Sequence, residues 1–360
     1  MPELFAARCE NYHDGSLKEL IDNYFCSEKD RLASASKILL KPNLLSATPP
    51  ERAVTTHPDF VRAVISSIRE FTSAEILLGD SPGANFGKYE KVLEVTGVGR
   101  AAEENGVKIV RVEAFEPVQK DGFLYSSLAD EVDLIINLPK IKTHSLTGLT
   151  LAVKNMFGLV PGNTKVGFHR SYPSDKVLGA KIFQYFSILG HKTMNIMDGI
   201  IAHEGDGPSR GTPVELGITA ACSDAVGLDI AVTRMLGFRD GFCLTSLEAL
   251  NQGYDPSWLD VPKANVPVLK VPMSKRLFVP DFLKKFVAEQ VYVKPVILNE
   301  PCIKCMLCKK SCPVDAITIV DSYPFINKNK CIECYCCHEV CESDAVGLNR
   351  SWLHKRMVKS

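Results

Sequence analysis

The sequence predicts an α/β fold, with mainly parallel sheet layers covered by helices. A small α+β unit of different character follows at the C-terminus. Three observations carry this. Short apolar runs alternate with helical patterns over about the first 270 residues, the alternation that builds a parallel sheet covered on both faces. Nine of the 13 cysteines crowd between Cys302 and Cys341. Those cysteines repeat one spacing, shifted by 29 positions from Cys302 to Cys331 and from Cys312 to Cys341.

At 360 residues the chain has room for two or three lobes. With 23% charged residues and a formal net charge of zero, bulk charge draws it neither to nucleic acid nor to an anionic membrane. The start, MPELFAARCENYHDGS, has no basic stretch followed by an apolar one, so no signal peptide is expected. No run of about 18 uncharged apolar residues predicts a membrane span. The cysteine distribution is wrong for a secreted disulfide scaffold and right for metal ligation. The expectation is a cytoplasmic protein of an anaerobic or micro-oxic cell.

Strands are expected at 37–40, 75–78, 107–110, 132–137, 194–197 and 214–221, each a short apolar run. Between them, 59–71 reads as a helix with Phe60, Val64, Ile65 and Ile68 on one face. Helices are also expected at 174–190 and at 224–236, the latter capped by Asp224. A further helix is expected over 146–158, apolar at Leu149, Leu151, Val153 and Met156 but interrupted by Lys154 and Asn155, with Pro161-Gly162 ending it. The chain then divides into an α/β domain at 1–270, of one or two lobes, and an amphipathic connector at 271–298. The second domain occupies 299–349, with a tail at 350–360. The connector mixes Lys275, Arg276, Lys284 and Lys285 with Phe278, Phe282, Phe286 and Val287, and Pro280 interrupts it. It reads as a docking segment, with a membrane-surface helix as the competing view.

Cys302, Cys305, Cys308 and Cys312 stand as C-x2-C-x2-C-x3-C with Pro313 behind them, and Cys331, Cys334, Cys337 and Cys341 repeat the spacing. Thiolates so spaced hold [4Fe–4S] clusters, and the fourth cysteine of each run serves the other cluster. One cluster is therefore expected on Cys302, Cys305, Cys308 and Cys341, and the second on Cys331, Cys334, Cys337 and Cys312. C-x2-C pairs also suit zinc, but the triple spacing with Cys-Pro favours clusters. CIKCMLCKKSCPVDAITI aligns with CIECYCCHEVCESDAVGL throughout, so Asp315, Ala316 and Ile317 match Asp344, Ala345 and Val346. Over roughly 299–348 the chain resembles the bacterial two-cluster ferredoxins. Glu342 replaces the proline expected after Cys341; it either lowers that cluster's potential from within or is solvated. Cys336, the ninth cysteine of the group, is either an exchangeable ligand or a free buried thiol. Cys9, Cys26, Cys222 and Cys243 lack ligand spacing and default to buried thiols.

In the large domain, strand ends turn polar at Lys41-Pro42-Asn43, at Gly79-Asp80-Ser81-Pro82-Gly83, at Asn137-Leu138-Pro139-Lys140 and at Asp198. Each residue singly is a turn former or cap. As a set at the carboxyl ends of strands they suggest a site for an anion or a metal-bearing ligand. Lys41, Asn43, Asp80, Ser81, Lys140 and Lys142 are the candidate anion contacts, and the 79–83 loop offers backbone N–H groups. Glu204 and Asp206, in the polar loop 204–211, suggest a lid or a cation site, or a plain turn. Gly97-Val98-Gly99-Arg100-Ala101-Ala102 fits G-x-G-x-x-A by letter, but the helical pattern before it removes the dinucleotide context. His144, Lys154 and His169 are spaced by ten and fifteen and are the catalytic candidates: imidazoles move protons or bind metal, and a buried lysine clamps anions or attacks carbon.

LPKIKTHSLTGLTLAVKNMFGLVPG, with LLKPNL, LLGDSPG and DGIIAHEGDGPSRG, resembles the family called domain of unknown function 362, over 37–236. That family implies no reaction; members with such a tail are labelled iron–sulfur proteins. The order His144, Lys154, His169 is also similar to the lactate racemase catalytic subunit family. That similarity implies His144 as a proton-transfer base, Lys154 as the attachment point of a nickel-pincer nucleotide and His169 as a nickel ligand. Leu151-Ala152-Val153 departs from that family's glycine pair and arginine, and its second base has no match.

Three readings follow. The first is a redox enzyme whose clusters exchange electrons with a site in the α/β domain. The second is an electron-relay module docking a partner oxidoreductase, and the third is a racemase-like hydride shuttle. The cofactors are two [4Fe–4S] clusters, with a further metal or nucleotide in the α/β domain left open. The partner is a redox protein or a small-molecule electron donor or acceptor; no nucleic acid is expected, and the oligomeric state is not legible.

Overall fold

The computed structural model describes residues 2–83, 89–162, 164–275 and 292–357. Arg276, Phe278, Pro280, Phe282, Lys284, Lys285, Phe286 and Val287 of the expected connector lie outside the described residues.

Among the described residues, nine strands form the central sheet. Its parallel core runs β10 (Thr193–Glu204), β7 (Leu134–Leu138), β2 (Lys37–Pro42), β3 (Glu75–Leu78) and β4 (Lys108–Ile109). On the other side of β10 the order continues antiparallel through β11 (Thr212–Cys222) to β1 (Phe5–Arg8). The expected mainly parallel sheet is present, with an antiparallel margin. Side chains alternate between faces. Ile38, Leu40, Ile76, Leu78 and Ile136 enter one core, and Leu39, Leu77, Ile135 and Met197 enter the other. That double burial is why these strands read as continuous apolar runs.

Helices α1 (Gly15–Ser27) and α3 (Pro58–Phe71) cover the first face, with α2 (Lys29–Ser34) between them in the chain. Pro58 occupies the first turn of α3, where no N–H is needed, and the His57 side chain accepts from Asp59 N. Helices α4 (Tyr89–Thr96) and α5 (Val98–Glu103) flank Gly97, whose φ of +71° joins two helices rather than a strand and a helix. The rejection of a dinucleotide fingerprint there agrees with the structure. A small hairpin, β5 (Pro117–Lys120) with β6 (Phe123–Ser126), precedes β7.

The expected helix over 146–158 is a different structure. β8 (Lys140–His144) turns back antiparallel into β9 (Gly148–Thr150), and only then does the four-residue helix α6 (Ala152–Asn155) start, followed by a 3₁₀ turn at Met156–Leu159. Two causes are visible. Gly148 has φ +79°, and a Cβ there would collide with Phe242 O, a conformation and approach that exclude a side chain. The Asp229 carboxylate accepts from Ala152 N at 2.7 Å and Val153 N at 3.1 Å, which fixes where the helix starts. Asp229 belongs to α9 (Ala225–Met235), which Asp224 caps as expected by accepting from Val226 N and Gly227 N. Helices α7 (Thr164–Ser171), α8 (Asp175–Leu189) and α10 (Leu244–Asn251) complete this side.

In the C-terminal unit β12 (Val293–Ile297) pairs with β15 (Val346–Arg350), and β13 (Ile317–Val320) with β14 (Tyr323–Ile326). β12 falls within the stretch read as connector, so the unit begins before residue 299. The halves repeat in backbone as well as in sequence. Lys304, Met306 and Asp315 have positive φ, and so do their counterparts Glu333, Tyr335 and Asp344.

The loop 204–211 is a latch rather than a lid. Glu204 is neutralised by Lys270 Nζ at 2.9 Å, and Asp206 accepts from Met273 N at 2.7 Å. Beyond them Arg210 Nε donates to His338 O at 3.2 Å, its guanidinium pairs with Asp344, and Ser209 Oγ donates to Glu339 O at 3.1 Å. The loop thus clamps the second cysteine run onto the α/β body. Cys9, Cys222 and Cys243 are buried, but Cys26 is exposed. It lies off the stripe Leu17, Leu20, Ile21, Tyr24 and Phe25 that α1 buries. Among the described residues no helix is long and apolar enough to cross a membrane.

Candidate active site

Buried polar groups in the body fall into two kinds. The first kind is satisfied. Lys41 pairs with Asp80 at 2.8 Å, and Asp80 also accepts from Leu44 N at 2.7 Å. A Cβ on Gly158 would collide with this pair, so glycine is required there. Lys140 lies in β8 and pairs with Asp198 at 2.8 Å, with the Tyr12 hydroxyl at 3.0 Å from its Nζ. Lys142 donates to Asn43 Oδ1 at 2.6 Å and Val54 O at 2.7 Å. Four asparagines extend that bond inward: Asn43 Nδ2 donates to Asn155 Oδ1 at 2.9 Å, Asn155 Nδ2 to Asn137 Oδ1 at 2.7 Å, and Asn137 Nδ2 to Asn195 Oδ1 at 2.9 Å. Burial pushes all three lysines below the usual ammonium range, and Asp80 and Asp198 oppose that shift for Lys41 and Lys140.

The second kind faces a cavity of about 110 Å³ where the body meets the second cysteine run. His144 at the end of β8, Lys154 on α6, and Lys165 and His169 on α7 line one wall, with Asn43, Asp80 and Ser81 at their side. Ser311, Cys336, Glu339 and Val340 of the C-terminal unit line the opposite wall, and Leu44, Leu45, Phe157, Val166, Leu178 and Ile182 supply apolar surface. Among the described residues Lys154 and His169 have no hydrogen-bond or ion-pair partner, whereas Lys165 donates to Ser81 O.

The electrostatics follow from this crowding. Burial, and then the charge of Lys154, brings the His169 imidazole down to about 4. Burial, followed by Lys154, His169 and Lys142, holds His144 well below the usual imidazole range. Lys154 is lowered chiefly by burial, against the attraction of Glu339. Burial lowers Lys165 to about 8. His144 Nδ1 accepts from Leu146 N at 3.1 Å and Thr147 N at 3.3 Å, so the neutral ring carries its proton on Nε2. That Nε2 stands 3.8 Å from Glu339 Oε1, too long for a hydrogen bond, and the buried Oε1 has no partner among the described residues. The wall can hold an anionic group at the lysines, seat an apolar body, and offer a hydrogen bond from His144 Nε2–H.

The cysteines ring two smaller cavities. Cys302, Cys305, Cys308 and Cys341 line one; Cys312, Cys331, Cys334 and Cys337 line the other. Ala316 N donates to Cys312 Sγ at 3.1 Å and Ala345 N to Cys341 Sγ at 3.2 Å, the amide-to-sulfur bonds that suit cluster ligands. Among the described residues no three His, Cys, Asp or Glu side chains converge on a point where one metal ion could be held. Four thiols around each of two cavities fit a cubane.

The structure therefore brings together His144, Lys154, His169, Asn43, Asp80 and Ser81. Lys41 and Lys140 are committed to carboxylates, Lys142 touches the site only through Asn43, and Glu204 and Asp206 pin the 270–273 segment. Glu342 pairs with Lys91 at 3.7 Å. Cys336 is buried on the cavity wall. Sequence reasoning misses Lys165, Asn155, Asp229 and Glu339. Only Glu339 carries a signal, since it stands where the aligned first run has Lys310.

Residues 38–234 match the family model described as Domain of unknown function (DUF362), and residues 294–342 match the 4Fe-4S dicluster domain. A thylakoid-associated protein of Synechocystis sp. is 35% identical over 204 residues, which is 56% of this chain and 63% of that protein. The chain thus spans less than two thirds of that relative's length. A crystal structure of a Thermotoga maritima protein aligns with a TM-score of 0.34 at 14% identity, covering 55% of this chain and 54% of that one. The lactate racemase apoprotein of Thermoanaerobacterium thermosaccharolyticum aligns with a TM-score of 0.40 at 12% identity, covering 62% and 55%. Likeness at that level carries no chemistry from those proteins to this one.

Proposed function

The chain belongs to the DUF362 family and carries a 4Fe–4S dicluster domain, and on that premise we propose that it is a redox enzyme whose substrate is a small organic anion. The substrate sits in the junction cavity and exchanges electrons with the cluster held by Cys331, Cys334, Cys337 and Cys312. One observation carries the reading: the loop between those cysteines forms a wall of the cavity through Cys336 and Glu339, facing Lys154, His144 and His169. Lys154, without a hydrogen-bond or ion-pair partner among the described residues, and Lys165 beside it select an anion, and the apolar wall selects an organic body.

When bound, the clusters supply or accept one electron at a time. The chain does the rest. Lys154 and Lys165 hold the anionic group, the asparagine chain keeps Asn43 and Asn155 in place, and His144 Nε2–H donates a hydrogen bond to the charge that builds on the substrate, any proton taken up coming from solvent. Docking of the second run over the cavity excludes water, which strengthens each of these interactions.

The test uses anaerobically purified protein with EPR confirming intact clusters. Lys154→Ala and His144→Ala are expected to abolish substrate-linked oxidation of the reduced clusters while leaving the EPR spectra in place. Unchanged electron transfer in both variants would make the body a relay that only docks a partner. A hydride-shuttling isomerase draws on the same three residues, but the two amides on His144 Nδ1 leave Nε2 as a donor rather than a free base. Metal analysis separates the two: about eight irons without nickel removes the isomerase.

A further inference from the structure

The two cysteine runs are one device placed twice, and among the described residues the α/β body covers the second, while of the first it meets Ser311 and leaves the 303–305 and 309–310 side exposed. In the second run Arg210 engages His338 O, and Glu339 lies on the cavity wall. Their counterparts 29 positions earlier, Lys309 and Lys310, are both exposed. Glu333 likewise corresponds to the exposed Lys304, and the half-buried Cys334 to the exposed Cys305. Ile303 is 67% exposed, an apolar side chain beside that cysteine that no described residue covers. The first run carries three lysines and no carboxylate, whereas the second carries two glutamates and no lysine.

The covered run shows what such a face does, because Glu339 stands on the cavity wall opposite Lys154 and feels its charge, with Lys142 adding to it from behind Asn43. The uncovered run has the opposite charge around the same fold. We propose that Ile303, Lys304, Lys309 and Lys310 form the docking face for a small acidic protein that carries one electron at a time. The complementary charges steer the encounter, and Ile303 supplies a dry centre beside Cys305. One electron passes between the carrier's centre and the cluster on Cys302, Cys305, Cys308 and Cys341; one centre is oxidised as the other is reduced, and no bond forms or breaks. This rests on the reading that the other cluster serves the cavity, and it assigns the two clusters separate doors.

The test uses the full chain with both clusters, confirmed by EPR, and flavodoxin as the acidic carrier. Stopped-flow absorbance gives the second-order rate as a function of ionic strength, and calorimetry gives binding. Relative to wild type, Lys304→Glu/Lys309→Glu/Lys310→Glu is expected to slow the reaction on the order of a hundredfold at low salt and flatten its salt dependence. Lys328→Glu/Lys330→Glu, exposed on the same unit but outside the run, should change it by less than about threefold. If the triple variant loses a cluster, Lys310→Glu alone is the second variant, expected at about fivefold. Wild-type rates in the charge-reversed run, an equal loss in the control pair, or self-association through this face would overturn the proposal. Anion binding in the cavity is titrated separately, so the two readings fail independently.

Discussion

Lys140 and Lys154 are two lysines of one sheet domain, both with ammonium groups depressed by burial, yet they belong to different regions. Lys140 has Asp198 at 2.8 Å and the Tyr12 hydroxyl at 3.0 Å. Lys154 has neither carboxylate nor carbonyl within reach among the described residues and looks across a cavity at the cluster unit. Burial alone therefore does not mark a functional lysine. What marks it is a desolvation cost that no hydrogen bond or ion pair among the described residues offsets, and which a bound anion can offset.

The largest effect should come from breaking the satisfied region. Lys140→Met leaves Asp198 buried and unpaired, and it is expected to lower the unfolding free energy by about 3–5 kcal/mol in urea titrations. If stability barely changes, the pairing is not what keeps Lys140 in place. The matching substitution in the other region, Lys154→Met, should leave stability within about 1 kcal/mol of wild type or raise it. It should weaken binding of a small carboxylate such as benzoate by about ten- to a hundredfold, read by calorimetry, since a hydrogen bond to a charged group contributes about 1.5–3 kcal/mol.

Asp229→Ala probes the bridge between the regions, because this carboxylate sets the start of the helix that carries Lys154. Two buried amides would lose their acceptor, and a loss on the order of 2 kcal/mol is expected together with weaker carboxylate binding. Loss of stability without loss of binding would show that α6 holds Lys154 without its cap.

The smallest effect is in pH. Lys165 is lowered to about 8, so it is charged below that pH and neutral above it. Carboxylate affinity should hold below pH 8 and fall as pH rises through 8. Lys165→Arg, which stays protonated throughout, should flatten the profile. A profile unchanged by this substitution would remove Lys165 from the anion site.

Much of the fold is legible in the sequence because strands buried on both faces leave unbroken apolar runs. The run at 75–78 matches its strand at both ends, and Asp224 caps its helix as its type and position suggest. The cysteine partition is expected from the rule that the fourth cysteine of each run serves the other cluster, and the thiols ring two cavities in those same two sets. Legibility fails where tertiary contacts decide. Gly148 against Phe242 and Asp229 against Ala152 turn an apparently helical stretch into strand, turn and short helix. The polar strand ends point to the right region but cannot separate Lys41, already paired with Asp80, from Lys154, which is not. Glu204 and Asp206 look like a cation site until the 270–273 segment is seen to occupy them. The junction itself is invisible in sequence, since its walls lie on Lys154 and Glu339, 185 positions apart.

The claim that the cavity and the second cluster form one electrostatic site is tested most directly by an EPR-monitored redox titration of wild type and Lys154→Met. Removing a nearby positive charge should lower the potential of the cluster held by Cys331, Cys334, Cys337 and Cys312, and leave the cluster on Cys302, Cys305, Cys308 and Cys341 unmoved. Equal shifts in both clusters, or none in either, would contradict the account.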